Sequence, residues 1–209
     1  AMRTVVDVPW ISQLDASSRS PMDCGEACVL MLARFWGYAS PDLTVDDLYQ
    51  RAPAPDGTVW SDLQRLAASI RSTSGGRDFV LSTGPAPTPG ILRGYIDQGY
   101  PPILLVNYED LGIPRPDLAS GNRQGLHWLV VSGYEDDNFL LHDPLWRPAD
   151  REGRGGAYVP VNATALMRAL RGVNLHHWKA VERPARRSKL GVHVIGGPRN
   201  GYGDFLRAE

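Results

Sequence analysis

The sequence predicts an α+β fold, in which a largely helical first half packs on an antiparallel β-sheet formed by the second half. Two observations support this prediction. Residues 24–72 contain three segments whose apolar side chains recur near the helical period of 3.6. Residues 102–142 contain three apolar, strand-sized segments, and the last two are joined by a short acidic turn typical of a β-hairpin.

The first predicted helix covers residues 24–36 and begins with a cysteine. Asp23 is a candidate N-cap, and Glu26 follows three residues later, which is the pattern of a capping box. Gly37 is expected to end the helix. Cys24 then lies at the first helical position, where unpaired N–H groups and the positive end of the helix dipole favour a thiolate. A nucleophilic cysteine requires such an environment.

The remaining elements follow from caps, breakers and apolar runs. Helices are predicted at residues 40–51, 58–72, 88–98 and 163–171, with Thr44, Thr88 and Asn162 as candidate caps. Strands are predicted at residues 79–81, 102–108, 126–134, 138–142, 158–161 and 175–181, with an extended edge segment at 5–11.

The predicted hairpin of residues 126–134 and 138–142 brings two polar residues together. His127 lies at the start of the first strand, and Asp143 directly follows the second. Because these ends lie side by side in an antiparallel pair, the imidazole and the carboxylate come within hydrogen-bond reach. A base and a group that orients it are what a cysteine nucleophile needs for catalysis.

The motif Asp-Cys-Gly-x-Ala-Cys at the helix start, with Gln13 upstream and Gly-Leu-His-Trp-Leu-Val-Val-Ser-Gly-Tyr downstream, resembles the C39-like branch of the papain-like cysteine peptidases. That branch includes the bacteriocin-processing peptidases. The resemblance implies a papain-like fold and hydrolysis of a peptide or amide bond through Cys24, His127 and Asp143. It also implies that the Gln13 side chain and the Cys24 N–H stabilise the oxyanion.

The resemblance covers about residues 5–144, and it has one departure near the nucleophile. Glu26 stands where related sequences often carry proline. Two alternatives use the same residues. An acyltransferase or isopeptidase would form the same acyl-enzyme and differ only in the acceptor. A catalytically silent module would bind a peptide in the cleft, but such domains are expected to lack the cysteine or the histidine. The expected partner is a peptide or protein substrate in each case.

The other cysteine and the other histidines are interpreted as structural. Cys28 lies one helical turn after Cys24 on an apolar face, where it is a small buried residue poorly placed for a disulfide. His142 precedes Asp143 and points to the opposite face of its strand. No HExxH or paired CxxC spacing is present, so we expect no metal and no cofactor.

Two tryptophans flank the predicted base and its orienting acid. Trp128 is expected to pack in the core, and Trp146 to shield the bond between His127 and Asp143 from water or to line the cleft. The polar loop of residues 109–124 leads directly to His127 and is a candidate wall of that cleft.

The composition of the chain limits the classes of function that it can have. Apolar residues make up 43% of the chain, charged residues 22%, and the net charge is −1, which gives no basic surface for nucleic acid. No apolar run reaches the length of a membrane-spanning helix. No signal peptide is visible, and Ala1-Met2 looks like an expression scar. The compartment is therefore undetermined, and a secreted or cell-envelope location requires that a leader was removed.

We expect the chain to consist of a C39-like papain-fold peptidase domain of residues 1–187 and a segment of residues 188–209. A basic stretch at residues 182–189 precedes the glycine-containing, strand-like residues 190–198. We expect the final segment to be a tail or the truncated start of a further C-terminal domain.

Overall fold

The computed structural model describes residues 2–14, 22–54, 57–71, 79–83, 87–114, 125–171, 173 and 193–198. The helices are α1 (Cys24–Phe35), α2 (Val45–Arg51), α3 (Trp60–Arg71), α4 (Pro89–Asp97), α5 (Asp150–Gly153) and α6 (Ala163–Arg171). The strands are β1 (Arg3–Val5), β2 (Phe79–Thr83), β3 (Pro102–Asn107), β4 (Leu126–Glu135), β5 (Asn138–His142), β6 (Val159–Asn162) and β7 (His193–Pro198). A 3-10 turn (Tyr108–Leu111) follows β3.

The described strands form one antiparallel sheet in the order β2-β7-β3-β4-β5-β6, and β1 pairs with the end of β4. The central strands β3, β4 and β5 are almost wholly buried, as their near-continuous apolar sequences predict. Helices α1, α2 and α3 pack on one another, and α1 also packs against β4 and β7. This is the predicted α+β arrangement of a helical lobe on an antiparallel sheet.

Strand β7 comes from the segment that we expected to be a tail or the start of a further domain. It pairs with β2 on one side and β3 on the other, so these six residues belong to the sheet. Inserting a strand there satisfies backbone groups that β2 and β3 would otherwise expose at a sheet edge. The rest of residues 188–209 lies outside the described part of the chain, and a domain boundary at residue 187 stays a prediction.

The predicted capping box at the start of α1 is wrong. Asp23 has φ −94° and ψ 26°, and its side chain makes no capping hydrogen bond. An N-cap side chain reaches the N–H groups of the first turn from an extended backbone, which Asp23 does not have. Its carbonyl oxygen still accepts the first helical bond, from the Ala27 N–H at 3.0 Å. Both Asp23 and Glu26 are buried.

The signals predicted at Gly37, Thr44 and Thr88 are confirmed, although α2 begins at residue 45 and not at 40, and α3 at residue 60 and not at 58. Gly37, after the last turn of α1, has φ 75°, a left-handed conformation that glycine adopts without steric cost. The Thr44 hydroxyl accepts from the Asp47 N–H at 3.1 Å, and the Asp47 carboxylate accepts from the Thr44 N–H at 2.9 Å. In α4, Thr88 caps the helix and Pro89 occupies its first position.

Some predicted elements lie outside the described residues. They include the strand at residues 175–181 with its two histidines, and residues 115–124 of the polar loop before β4. Within the described ranges, none of the helices combines the length and the apolar character needed to cross a lipid bilayer.

Candidate active site

Strands β4 and β5 place His127 beside Asp143, as the hairpin pattern predicts. Val130 pairs with His142 in the register, so Asp143 follows β5 alongside the first residues of β4. The distance between His127 Nε2 and Asp143 Oδ1 is 2.8 Å. Asp143 has no exposed surface and His127 is 6% exposed, so this hydrogen bond is protected from water.

Helix α1 presents Cys24 to the same histidine. Cys24 is the first residue of α1, is partly buried, and lies near enough to His127 to raise the pKa of its ring. Gly25 comes next, and a Cβ at this position would overlap the Thr58 hydroxyl. The Thr58 carbonyl in turn accepts from Trp128 Nε1 at 2.9 Å. Glycine at position 25 therefore lets the loop before α3 pack closely on the helix start that holds Cys24.

The charges around His127 favour its imidazolium form. Burial by itself lowers the pKa of His127. The negative charge and hydrogen bond of Asp143, together with the hydrogen bond and charge of Cys24, outweigh burial and raise that pKa from 6.5 to about 9. At neutral pH the ring is therefore protonated, and it can stabilise a thiolate on Cys24.

Asp143 accepts hydrogen bonds from four donors. Oδ1 accepts from His127 and from the Leu145 N–H at 3.0 Å. Oδ2 accepts from the Tyr108 hydroxyl at 2.7 Å and from Trp146 Nε1 at 2.9 Å. Burial raises the pKa of Asp143, but the positive charge of His127 and these hydrogen bonds outweigh it and keep the pKa below its ordinary value. The carboxylate therefore stays ionised.

Gln13 lies in a segment that is bonded to the residues after Asp143. Its backbone N–H donates to the Pro144 carbonyl at 2.8 Å, and the Ser12 hydroxyl donates to the Trp146 carbonyl at 2.6 Å. The Gln13 side chain is fully buried. The structure thus brings Gln13 to the region of the candidate site although more than a hundred residues separate it from Asp143 in sequence.

The backbone of Asp143 is held on both sides. Its N–H donates to the Gly156 carbonyl at 2.9 Å, and its own carbonyl accepts from Trp10 Nε1 at 2.9 Å. A Cβ at Gly156 would overlap the Asp143 carbonyl oxygen and lie 2.7 Å from Trp10 Nε1. Only glycine at this position therefore allows its backbone, the backbone of Asp143 and the Trp10 indole to meet.

The turn α5 leads to Gly156 through left-handed backbone. Arg151, Glu152 and Gly153 have φ of 52°, 60° and 83°, so this segment is not a regular helix. Such a conformation costs roughly 1–2 kcal/mol for each non-glycine residue. The Arg151 guanidinium stabilises the turn by donating to the Gly155 and Ala157 carbonyls at 3.0 and 2.8 Å.

The residues that we interpreted as structural, His142, Trp128 and Cys28, are all buried. His142 is buried between the Val8 carbonyl, 2.8 Å from its Nε2, and the Tyr158 N–H, 3.2 Å from its Nδ1. Burial lowers the pKa of His142 to about 4, so the ring is neutral near pH 7. Trp128 is 2% exposed, in agreement with core packing. Burial, followed by the charges of Cys24, Asp143 and Glu26, raises the pKa of Cys28, which leaves it an unreactive thiol.

Sequence reasoning missed Tyr108 and Trp10. Tyr108 was the last residue of a predicted strand, and Trp10 lay in an extended edge segment; neither position carries a local signal for a contact with Asp143. The only available signal for Trp146 was its closeness to Asp143 in sequence, and its indole does bind that carboxylate. In the described residues, no three His, Cys, Asp or Glu side chains cluster in a way that would hold a metal ion.

Comparison with solved structures identifies the fold. The peptidase domain of Streptococcus ComA, a bifunctional ABC transporter of a quorum-sensing pathway, superimposes with a TM-score of 0.53 at 18% identity, over 91% of this chain and 98% of that one. A putative C39-like peptidase from Bacillus anthracis gives a TM-score of 0.55 at 15% identity, over 94% and 98%. A double-glycine-motif protease of an AMS/PCAT transporter, in complex with a leader peptide, gives 0.52 at 14% identity, over 95% and 99%.

Comparison with family models and curated sequences identifies the family of the chain. No curated protein sequence matches the chain. The model of the Peptidase_C39 like family matches residues 5–155, which include all four candidate site residues, Gln13, Cys24, His127 and Asp143. The chain therefore belongs to the Peptidase_C39 like family and is a cysteine peptidase of the C39-like type.

Proposed function

We propose that the protein hydrolyses a peptide or amide bond, with Cys24 as nucleophile, His127 as general acid and base, Asp143 as the orienting acid, and Gln13 as an oxyanion donor. The observation that carries this proposal is the buried hydrogen bond of 2.8 Å between His127 and Asp143, on a histidine whose pKa is raised by Asp143 and by Cys24. A buried imidazole between a thiol and a carboxylate is the arrangement that activates a cysteine.

In the proposed mechanism, Cys24 starts as a thiolate, His127 as an imidazolium and Asp143 as a carboxylate. The Cys24 thiolate attacks the carbonyl carbon of the scissile bond, and the carbonyl oxygen becomes an oxyanion. His127 then gives its proton to the leaving amine, and a thioester remains on Cys24. His127, now neutral, takes a proton from water as the water attacks the thioester. Release of the acid restores the thiolate and the imidazolium, with Asp143 holding the ring orientation throughout.

We propose the Cys24 N–H and the Gln13 side chain as oxyanion donors because of where they lie in the fold. The Cys24 N–H belongs to the first turn of α1, where backbone N–H groups have no helical acceptor. The Gln13 segment is bonded to residues 144 and 146, beside the orienting acid. A side-chain amide and a backbone N–H together make the two-donor arrangement that stabilises a tetrahedral intermediate.

A peptide is the proposed substrate class. The structural neighbour from an AMS/PCAT transporter is a double-glycine-motif protease in complex with a leader peptide, and its fold is that of this chain. Incubation with a proteome-derived peptide library, followed by mass spectrometry of new termini, tests the proposal. We expect cleavage products from the wild type and none from Cys24→Ser. Identical product lists would contradict hydrolysis, and products joined to an added amine would favour the acyl-transfer alternative.

Replacing Gln13 with alanine tests the oxyanion role. On a peptide selected from the library, we expect kcat to fall by about a hundredfold to a thousandfold, because one donor to the oxyanion is lost. Alkylation of Cys24 by iodoacetamide at pH 6 should be unchanged, since no oxyanion forms in that reaction. Gln64→Ala, on the exposed face of α3, is the matched control. An unchanged kcat, or a parallel loss of alkylation, would contradict the assigned role.

A further inference from the structure

We propose that Tyr108 is a positioning residue of the catalytic site: its hydroxyl holds Oδ2 of Asp143, so that Oδ1 is presented to His127 and the carboxylate remains ionised. The inference deepens the proposed function and rests on it. Tyr108 acts through Asp143 and does not contact the reacting atoms.

The geometry gives Tyr108 two contacts with the candidate site. Its hydroxyl donates to Asp143 Oδ2 at 2.7 Å, and its ring meets the His127 ring edge-on, with 5.0 Å between centroids and an interplanar angle of 85°. Tyr108 is 7% exposed, so water does not compete freely for the carboxylate oxygen. One side chain therefore touches both members of the His127–Asp143 pair.

Tyr108 is placed by the same strand pairing that places His127. Val106 of β3 lies opposite His127 of β4, and the Tyr108 N–H donates to the Gly125 carbonyl at 3.1 Å, one step beyond the ladder. The 3-10 turn that begins at Tyr108 then directs the chain away from the strand. The distance between the phenol and the imidazole is thus set by the backbone register of two buried strands.

The hydroxyl has a chemical consequence beyond packing. A carboxylate with one free oxygen can rotate and offer either oxygen to a histidine. Here Oδ2 is occupied by two donors from different parts of the fold, Tyr108 after β3 and Trp146 after β5. Rotation would break both bonds. Because both donors bind the charged form, they also oppose protonation of Asp143.

Loss of the hydroxyl should therefore appear in the pH dependence of the nucleophile. When Asp143 takes up a proton, His127 loses the charge that keeps it protonated, and the thiolate on Cys24 loses its partner. Without the Tyr108 donor, Asp143 is protonated at a higher pH. The pH below which Cys24 stops reacting should then move upwards.

Other ionisable groups lie near the Asp143 carboxylate and influence its protonation. In the described part of the chain, Cys28 on α1, His127 on β4 and Arg151 on α5 interact electrostatically with Asp143, and Cys24 on α1 interacts with His127. All four remain in a variant that loses only the phenolic oxygen. A shift of the acid limb in that variant consequently reports the hydrogen bond to Asp143.

The test is the rate of Cys24 alkylation by iodoacetamide between pH 3 and pH 8 in the wild type and in Tyr108→Phe, measured by peptide mass spectrometry. Phenylalanine keeps the edge contact with His127 and removes only the donor. At the acidic end of the profile, which we call the acid limb, the alkylation rate falls as Asp143 becomes protonated. We expect the pH midpoint of this limb to rise by about one unit in Tyr108→Phe, the size associated with one hydrogen bond to a charged group. Trp146→Phe removes the other donor to Oδ2 and should shift the limb in the same direction.

The matched control is Tyr134→Phe, which removes a hydroxyl that donates to the Asp97 carboxylate at 2.8 Å, on the same sheet but outside the candidate site. Its acid limb should coincide with that of the wild type. An unmoved limb in Tyr108→Phe, whatever Trp146→Phe does, or an equal shift in Tyr134→Phe, would overturn the inference. If Cys24 of the wild type does not react at all, the proposed function fails first, and the two failures are distinguished.

Discussion

Asp143→Asn is expected to lower kcat/KM by roughly 10³- to 10⁴-fold on a cleaved peptide, the loss found when a triad histidine is left in the wrong tautomer. Two physical effects add. The negative charge that raises the pKa of His127 disappears while the burial that lowers it remains, so the imidazolium is lost. Asparagine also replaces one carboxylate oxygen with an NH2 group, which cannot accept a hydrogen bond. Because all four groups around this side chain donate or can donate hydrogen bonds, some of them would lose their acceptor.

The control for this variant is Asp97→Asn, which changes an exposed carboxylate that also accepts from a tyrosine hydroxyl. Asp97 lies at the end of α4, and its substitution should leave kcat/KM within a few-fold of the wild type. Thermal unfolding of both variants separates a loss of chemistry from a loss of fold. An Asp143→Asn protein that is folded and retains a tenth or more of the activity would contradict the role given to the carboxylate.

Gly156→Ala is expected to lower the free energy of unfolding by about 3 kcal/mol or more, because the added methyl group enters a space already filled by backbone. The methyl carbon would overlap the Asp143 carbonyl oxygen and lie 2.7 Å from the Trp10 indole nitrogen. Relief of the overlap must separate Trp10 from Asp143, whose hydrogen bond is 2.9 Å long. Peptidase activity should fall with stability, since the displaced residue is the proposed orienting acid.

A glycine without such contacts provides the comparison. Gly94 lies inside α4, has no atom within 4 Å of a built Cβ, and does not have a positive φ. Alanine there should be neutral or should stabilise the protein by about 0.5–1 kcal/mol, because glycine is the poorer helix former. Urea unfolding of the two alanine variants measures the difference. Equal free energies of unfolding for both would contradict the close approach described at Gly156.

Local patterns in the sequence were sufficient for the part of the site that one hairpin builds. Strand ends at residues 127 and 143 follow from apolar runs and an acidic turn, and an antiparallel pair brings such ends together whatever surrounds them. Most helix boundaries were also predictable, because Thr44, Thr88 and Gly37 act within one turn of the chain. The capping box at Asp23 failed, because the backbone dihedral that a cap requires is not encoded by residue type alone.

The contacts that the sequence did not reveal are those between distant segments. Tyr108 reaches Asp143 through the register of β3 on β4, and Trp10 reaches it across more than a hundred residues. Neither register nor long-range packing can be deduced from periodicity. The position of β7 between β2 and β3 is of the same kind, since any apolar strand of that length could add to several edges.

The most direct test of the account is the pH dependence of Cys24 alkylation by iodoacetamide in the wild type and in His127→Ala. With the pKa of His127 raised to about 9, the imidazolium persists at all lower pH values at which Asp143 is ionised, and it stabilises the thiolate there. Wild-type Cys24 should therefore react rapidly at pH 6. In His127→Ala the rate should rise only near pH 8.5, the ordinary pKa of a thiol. Buried Cys28 is the internal control and should stay unmodified in both proteins. A wild-type Cys24 that is as inert as Cys28, or that reacts identically without His127, would contradict the thiolate–imidazolium pair on which the proposed mechanism depends.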